Sequence, residues 1–75
     1  MFELIVKTLA EYVEVEPENI TPEADFIDDL KMNSYDFISL IGALEEKLCI
    51  EIPDTEIMDL RTVGDVAEYL KTKLQ

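Results

Sequence analysis

The chain has 75 residues, the length of one small domain, and 48% of them are apolar, as in globular rather than disordered proteins. One cysteine and no histidine exclude an internal disulfide and the usual zinc sites, so hydrophobic packing must hold the fold together. The net charge of −12 excludes a surface built to bind nucleic acid or to insert into anionic membranes, because both attract basic proteins.

Residues 2–13 are predicted to form a core-facing helix of about three turns. The charges of Glu3, Lys7 and Glu11 lie off the apolar stripe, and they also argue against a signal peptide or a membrane span. The apolar positions that share helical spacing are Phe2, Ile5, Val6, Leu9, Ala10 and Val13.

Residues 15–33 are predicted to be a long connection that is pinned onto the core. Pro17 and Pro22 stop the first helix and favour extended backbone before each of them. Long connections without regular structure are uncommon in compact domains and are often functional. Asp28 and Asp29 are left for solvent, and the expected plugs are Ile20, Phe26, Ile27 and Leu30.

Ser34 opens the most regular apolar stripe of the chain and is predicted to lie in the first turn of the second helix. Asn33 is a good N-cap, and Asp36 can complete a capping-box-like arrangement with it. A serine hydroxyl in this position faces water at the positive end of the helix dipole, which favours bound or attached anions. Ser34 is therefore a candidate attachment point. The stripe comprises Phe37, Leu40, Ile41, Leu44 and Leu48, and the helix is expected to end near Cys49.

Two further helices are predicted after a short connection through Pro53. Asp54 can cap a short helix over residues 55–59, with Ile57 and Met58 turned inward. Thr62 and Asp65 form a second capping signal, and the last amphipathic stripe comprises Val63, Val66, Ala67, Leu70 and Leu74.

No segment alternates long enough for a convincing strand, so the predicted fold class is all-α. The order of elements predicts a four-helix bundle with three main helices, a short third helix and a long loop between the first two. Residues 1–75 are expected to form a single domain.

The second helix also has a face opposite its apolar stripe. This face comprises Tyr35, Ile38, Ser39, Gly42, Glu45 and Glu46. An aromatic and an apolar residue beside acids are typical of a docking surface with an anchor and a charged rim. The alternative is that exposed apolar residues are common and carry no function.

The sequence resembles the acyl carrier proteins in several blocks that follow one another in order. The blocks are Asp-Leu-Lys-Met-Asn-Ser-Tyr at residues 29–35, Ala-Leu-Glu-Glu-Lys-Leu at 43–48, Ile-Glu-Ile-Pro-Asp at 50–54, and residues 62–70. The chain departs from the usual family pattern at Asn33 (usually Asp), Lys31 (usually Gly), Tyr35 (usually Leu) and Ser39 (often Glu). These departures suggest a specialised carrier rather than the housekeeping one.

The resemblance implies a carrier without catalytic activity, in which 4′-phosphopantetheine is joined to Ser34 and holds acyl intermediates as thioesters. It implies a phosphopantetheinyl transferase and acyl-processing enzymes with basic surfaces as partners. The expected partner-recognition residues are Asp29, Asn33, Tyr35, Asp36, Ile38, Ser39, Glu45 and Glu46. The candidate lining of an acyl cavity is Phe26, Leu44, Ile52, Ile57 and Val66, for each of which an ordinary core position is the plainer interpretation.

The sequence leaves several alternatives open for the cargo and for the cellular location. Cargo of fatty-acid or polyketide-like biosynthesis is expected, with an aminoacyl or peptidyl carrier as an alternative. The strong net charge favours a soluble monomer. An unpaired Cys49, interpreted as a small hydrophobe, fits the cytoplasm, or a plastid or mitochondrial matrix if a transit peptide was removed.

Three rival functions remain to be compared with a carrier. A hydrolase with Ser34 as nucleophile lacks a base other than Lys31. A calcium loop starting at Asp25 fails because Ile27 and Leu30 stand at its third and sixth positions, although weak divalent binding by clustered acids stays open. An interaction module with the same fold would use Tyr35 and Ile38 and leave Ser34 unmodified.

Overall fold

A computed structural model describes residues 1–75 and contains four α-helices and no strand, which confirms the all-α prediction. The helices are α1 (Phe2–Leu9), α2 (Ser34–Leu48), α3 (Asp54–Ile57) and α4 (Val63–Lys73), and a 3₁₀ turn at Pro17–Asn19 interrupts the long first connection. None of these helices combines the length and the apolar character that a bilayer crossing requires.

One hydrophobic core joins the three longer helices. α1 packs against both α2 and α4, and the rings of Phe26 and Phe37 lie 5.0 Å apart between their centroids. Each long helix contributes a stripe to this core, and the connections add four further residues. The buried apolar residues are Ile5, Val6, Leu9, Ile20, Phe26, Met32, Leu40, Ile41, Leu44, Ile52, Val63, Val66 and Leu70.

α1 is shorter than the apolar spacing predicts, because its regular part ends at Leu9 rather than at Val13. After Leu9 the chain tightens: the N–H of Glu11 donates to the Thr8 carbonyl, and the N–H of Tyr12 donates to the Leu9 carbonyl. Such i−3 bonds are usual at helix ends. They keep apolar side chains on nearly the same side as i−4 bonds do, so hydrophobic spacing could not locate this boundary.

The long connection is pinned at three of its four predicted plugs. Ile20 and Phe26 are buried, and Leu30 is half-buried against the core. The prediction that Ile27 is a plug is wrong, since 48% of the surface of this residue is exposed. The cause is local, because Asp25 Oδ1 accepts the N–H of Ile27 at 2.8 Å and bends the chain there.

Met32 is the plug that the sequence pattern missed, with only 2% of its surface exposed. Its N–H donates to the Phe26 carbonyl at 3.0 Å. The preceding residue, Lys31, has φ 59°, a left-handed conformation that favours glycine. This reversal turns Met32 inward immediately before α2 begins.

The helix starts follow local capping chemistry at two of three positions. Asn33 Oδ1 accepts the N–H of Asp36 at 2.7 Å, so the first half of the predicted capping-box-like pair is present at α2. At α4 the full reciprocal box forms between Thr62 and Asp65. The prediction for α3 is wrong, because Asp54 lies inside the helix and Pro53 is the N-cap without a side-chain bond.

Two residues predicted to turn inward near the C-terminal helices are exposed instead. Met58 follows the end of α3 and is 82% exposed, and Leu74 follows the end of α4 and is 46% exposed. Both lie beyond the last helical residue, where the helical spacing that predicted their direction no longer applies. Ile57, inside α3, is half-buried against the core as expected.

Candidate functional site

Ser34 is the first residue of α2 and is exposed to solvent, as the sequence predicts for its position. Asn33 caps the helix in front of it and satisfies the N–H of Asp36. The side chain of Ser34 makes no hydrogen bond to the rest of the protein, while Asn33 and Asp36 are engaged with each other. The hydroxyl oxygen is therefore accessible at the positive end of a 15-residue helix.

Beside Ser34 runs a groove of about 440 Å³, called here the Ser34 groove. Its walls come from the long connection, the start of α2 and the segment from α3 to α4. Seven of its 11 lining residues are apolar or aromatic, so the groove is mostly hydrophobic, and three of the others are charged. The groove is lined by Asp25, Phe26, Ile27, Asp28, Ser34, Phe37, Ile38, Ile57, Met58, Leu60 and Arg61.

The charged part of the groove is organised around Asp25. Its Oδ1 accepts the N–H groups of Ile27 and Asp28, and its Oδ2 pairs with Arg61 Nη2 at 3.3 Å. The hydrogen bond from the Asp28 N–H is the largest of several contacts that hold the pKa of the Asp25 carboxyl below its usual value. Asp25 is therefore a fixed anion whose oxygens are already used by the protein.

Of the predicted cavity lining, only Phe26 and Ile57 line the Ser34 groove. Leu44, Ile52 and Val66 lie in the buried core, with at most 5% of their surface exposed, and they do not reach the groove. Helical spacing places residues in a core but cannot separate a groove wall from the packed interior behind it. The plainer interpretation, an ordinary core position, describes these three residues.

The predicted partner-recognition residues divide by exposure. Tyr35 and Ile38 are 78% and 60% exposed, and Glu46 is also exposed. Together they put aromatic, apolar and acidic groups on the surface of α2 beside Ser34. Ser39, by contrast, is half-buried.

Several of the acids expected to face partners are engaged within the protein. Glu45 is half-buried, and its Oε2 accepts the N–H of Ile52 at 2.9 Å, which fastens the connection after α2. Asp29 Oδ2 accepts the N–H of Asp25 at 2.8 Å, whereas Asp36 is half-buried and only its backbone N–H is bonded, to Asn33. These side chains shape the surface around Ser34, in addition to carrying charge.

Sequence reasoning missed the contribution of Arg61 to this site. Arg61 lies 27 positions after Ser34, in the connection between α3 and α4, and only tertiary contact brings it to the groove. The one local signal for its position was the Thr62–Asp65 capping box, which marks the start of α4 directly after Arg61. No group of three or more potential metal-ligating side chains lies together, so the acids of the calcium-like window do not converge.

Comparison with known proteins identifies the family of the chain. Residues 3–70 match the family described as "Phosphopantetheine attachment site". A Wolinella succinogenes protein named acyl carrier protein is 43% identical over 72 residues, covering 96% of this chain and 95% of its own length. A Clostridium perfringens (strain SM101) protein of the same name is 46% identical over 70 residues, covering 93% and 92%. This chain belongs to the acyl carrier protein family.

Membership in the family determines the general function. Acyl carrier proteins are carriers rather than enzymes, and 4′-phosphopantetheine is their prosthetic group. The chain is thus an acyl carrier that interacts with acyl-processing enzymes.

The residues beside Ser34 fit such a group. The free, exposed Ser34 hydroxyl would offer its oxygen to a phosphodiester, and the unpaired N–H groups of the first turn of α2 would favour an anion there. The Ser34 groove would supply apolar walls to an arm attached at its edge.

Proposed function

We propose that Ser34 is the residue that carries the 4′-phosphopantetheine and that a phosphopantetheinyl transferase attaches it there. The observation that carries this proposal is the position of the Ser34 hydroxyl, exposed and unbonded at the start of α2 and at the edge of the groove. The other serine of the chain, Ser39, is half-buried in the second turn of the helix and offers no such access.

The chain's own residues prepare this position for an anion. Asn33 fixes the start of α2 through its bond to the N–H of Asp36, so the remaining unpaired N–H groups of the first turn lie at the N-terminal end of the helix, where Ser34 is located. When bound, the prosthetic group supplies a thiol at the end of a flexible arm, on which acyl groups are held as thioesters.

The proposed partners present basic surfaces to the helix that follows Ser34. With 18 acidic and 6 basic residues, the chain would be steered toward positive patches in fast, salt-sensitive encounters. Tyr35 and Ile38 would provide the apolar contact, and Glu46 the charged rim. The same charge disfavours self-association, so the proposed state is a monomer. The unpaired Cys49 fits the cytoplasm as the proposed location.

The proposed cargo belongs to fatty-acid biosynthesis or to a specialised, polyketide-like pathway. The Ala-Leu-Glu-Glu run at residues 43–46 and Ile-Pro-Asp at 52–54 favour the fatty-acid type. Asn33 and Tyr35, on either side of Ser34, favour a specialised member.

Incubation with coenzyme A and a broad-specificity phosphopantetheinyl transferase tests the attachment site. Intact-protein mass spectrometry is expected to show a gain of one phosphopantetheine on the wild type and on Ser39→Ala, and no gain on Ser34→Ala. Ser39→Ala is the matched control because Ser39 is on the same helix. A wild type that stays unmodified by several transferases would favour the interaction module instead.

A further inference from the structure

Arg61 is a basic residue in a groove whose other charges are acidic. It is the one arginine of the chain, and it lines the Ser34 groove together with seven apolar or aromatic residues, Asp25 and Asp28. Its side chain is 69% exposed, so most of the guanidinium faces the open side of the groove rather than the core. Its pairing with Asp25 engages one edge of the guanidinium and leaves the rest open to a further partner.

The backbone of Arg61 is held firmly against the opposite wall. The N–H of Phe26 donates to the Arg61 carbonyl at 3.0 Å, and the N–H of Val63 donates to the Ala24 carbonyl at 3.0 Å. Between these bonds, Asp25 and Thr62 form an isolated antiparallel bridge. The side chain of Arg61 therefore starts from a fixed point on the rim of the groove, which reduces the freedom that is lost when it binds a ligand.

The guanidinium has more donors than the protein uses. Of its five N–H groups, one at Nη2 bonds Asp25 Oδ2, and the nearest oxygen of Asp28 is 3.9 Å away, too far for a hydrogen bond. Asp25 already uses three of its about four acceptor positions, since Oδ1 takes two backbone N–H groups and Oδ2 takes the one from Arg61. The other four N–H donors of Arg61 thus have no acceptor within the protein at hydrogen-bond distance.

The charge balance indicates which acceptor fits. Asp25 and Asp28 together outweigh the single positive charge of Arg61, so a carboxylate entering the groove would meet a net negative surface. A carbonyl or hydroxyl oxygen accepts from a guanidinium without that repulsion. Hydrogen bonds to a charged donor are stronger than neutral ones, so even a partly exposed contact can discriminate.

We propose that Arg61 binds neutral oxygen acceptors, carbonyl or hydroxyl, of the group carried at Ser34. The inference rests on the proposed attachment at Ser34. Two sources offer this chemistry: the amide carbonyls of the arm itself, and oxygens along an oxygenated acyl chain. In the second case Arg61 makes the carrier favour oxygenated chains over plain alkyl chains.

The single arginine makes the test direct, because the Nε–Hε group of Arg61 gives one resonance in a ¹⁵N-correlated NMR spectrum. The resonance is followed in the unmodified protein and in forms loaded with phosphopantetheine, hexanoyl-phosphopantetheine and 3-hydroxyhexanoyl-phosphopantetheine. A downfield shift on adding the arm alone assigns the acceptor to the arm. A shift with the 3-hydroxyhexanoyl form only assigns it to the cargo.

The proposal would be overturned if the mass spectrum shows full loading but the Arg61 resonance does not shift in any form. The attachment at Ser34 would then still stand. Failure to load at all would instead overturn the proposed function, and the two failures are told apart by the mass spectrum.

A second measurement uses Arg61→Met, which removes the donors but keeps a similar length. The readout is the rise in melting temperature between the unloaded and the loaded form of the same variant. The stability lost with the Arg61–Asp25 pair lowers both forms equally and does not affect this difference. We expect Arg61→Met to lose about 2–4 °C of that rise, and the control Lys7→Met, on α1 and outside the groove, to keep it. An equal rise in both variants contradicts a contact between Arg61 and the carried group.

Discussion

Ile38 and Ile41 provide a matched pair that separates surface from core on the helix that follows Ser34. They are the same residue, three positions apart on α2, yet 60% of Ile38 is exposed and only 1% of Ile41. Truncating each to alanine removes the same atoms from two different environments. Any difference in stability therefore reports burial rather than chemistry.

The expected magnitudes follow from that exposure. Ile41→Ala should lose about 2–5 kcal/mol through lost burial and the cavity left behind. A 75-residue domain has a total stability of only about 4–11 kcal/mol, so this variant should melt at least about 10 °C lower. Ile38→Ala should change stability by about 0.5 kcal/mol or less, because it leaves no cavity and alanine is the better helix former.

Urea unfolding followed by circular dichroism measures both free energies. The rate of phosphopantetheine transfer, measured at several carrier concentrations, then tests the surface role of Ile38. We expect the transferase to bind Ile38→Ala more weakly than wild type, although the stability of the variant is unchanged. A stability loss above about 2 kcal/mol for Ile38→Ala would place that residue in the core and remove it from the proposed partner surface.

Three further predictions concern the hydrogen bonding, helix propensity and charge of the chain. The Tyr69 hydroxyl donates to Glu56 Oε1 at 2.5 Å, and burial of the ring, with Glu56 beside it, raises the pKa of Tyr69 to about 12. Because the folded pKa exceeds the unfolded value of about 10, the stabilisation is complete below about pH 10 and is lost as the pH rises through about 12. Tyr69→Phe should therefore cost about 1 kcal/mol at pH 8, and its lower melting temperature relative to wild type should shrink and then reverse over that pH range, because phenylalanine does not ionise; a constant difference across the range would contradict the bond. Gly42→Ala should stabilise by about 1 kcal/mol, since nothing lies within 4 Å of an added Cβ, whereas Gly64→Ala should destabilise, since its Cβ would lie 2.9 Å from the Pro22 carbonyl oxygen; equal melting temperatures for the two variants would refute this. Raising salt from about 0.01 M to about 0.15 M, or adding magnesium, should raise the melting temperature because screening weakens the self-repulsion of a −12 charge, and a flat or falling titration would count against it.

The parts of the molecule that sequence reasoning located correctly depend on neighbouring residues. Asn33 caps the N–H three positions later, and Thr62 and Asp65 cap each other over the same separation. These bonds form within one turn, so the order of side chains along the chain is sufficient to place the starts of α2 and α4. For the same reason Ser34 could be assigned to the first turn of α2.

Two of the errors occur where helical periodicity was extended beyond the helices, since Met58 and Leu74 each follow the last residue of their helix. The third, Ile27, was expected to turn inward in the long connection, where no regular period applies. In these segments the direction of a side chain depends on individual backbone bonds, such as that from the Ile27 N–H to Asp25. A residue pattern alone does not specify such bonds.

By itself, the sequence determined an all-α chain of strongly acidic character with a serine at the start of its second helix, because capping, periodicity and charge are properties of short segments. Only the tertiary structure decided what surrounds that serine. Arg61 joins the groove because backbone bonds pair residues 24–26 with residues 61–63, and Glu45 turns from the surface to hold the N–H of Ile52. Such contacts join residues far apart or on different elements, and they form only when the helices pack.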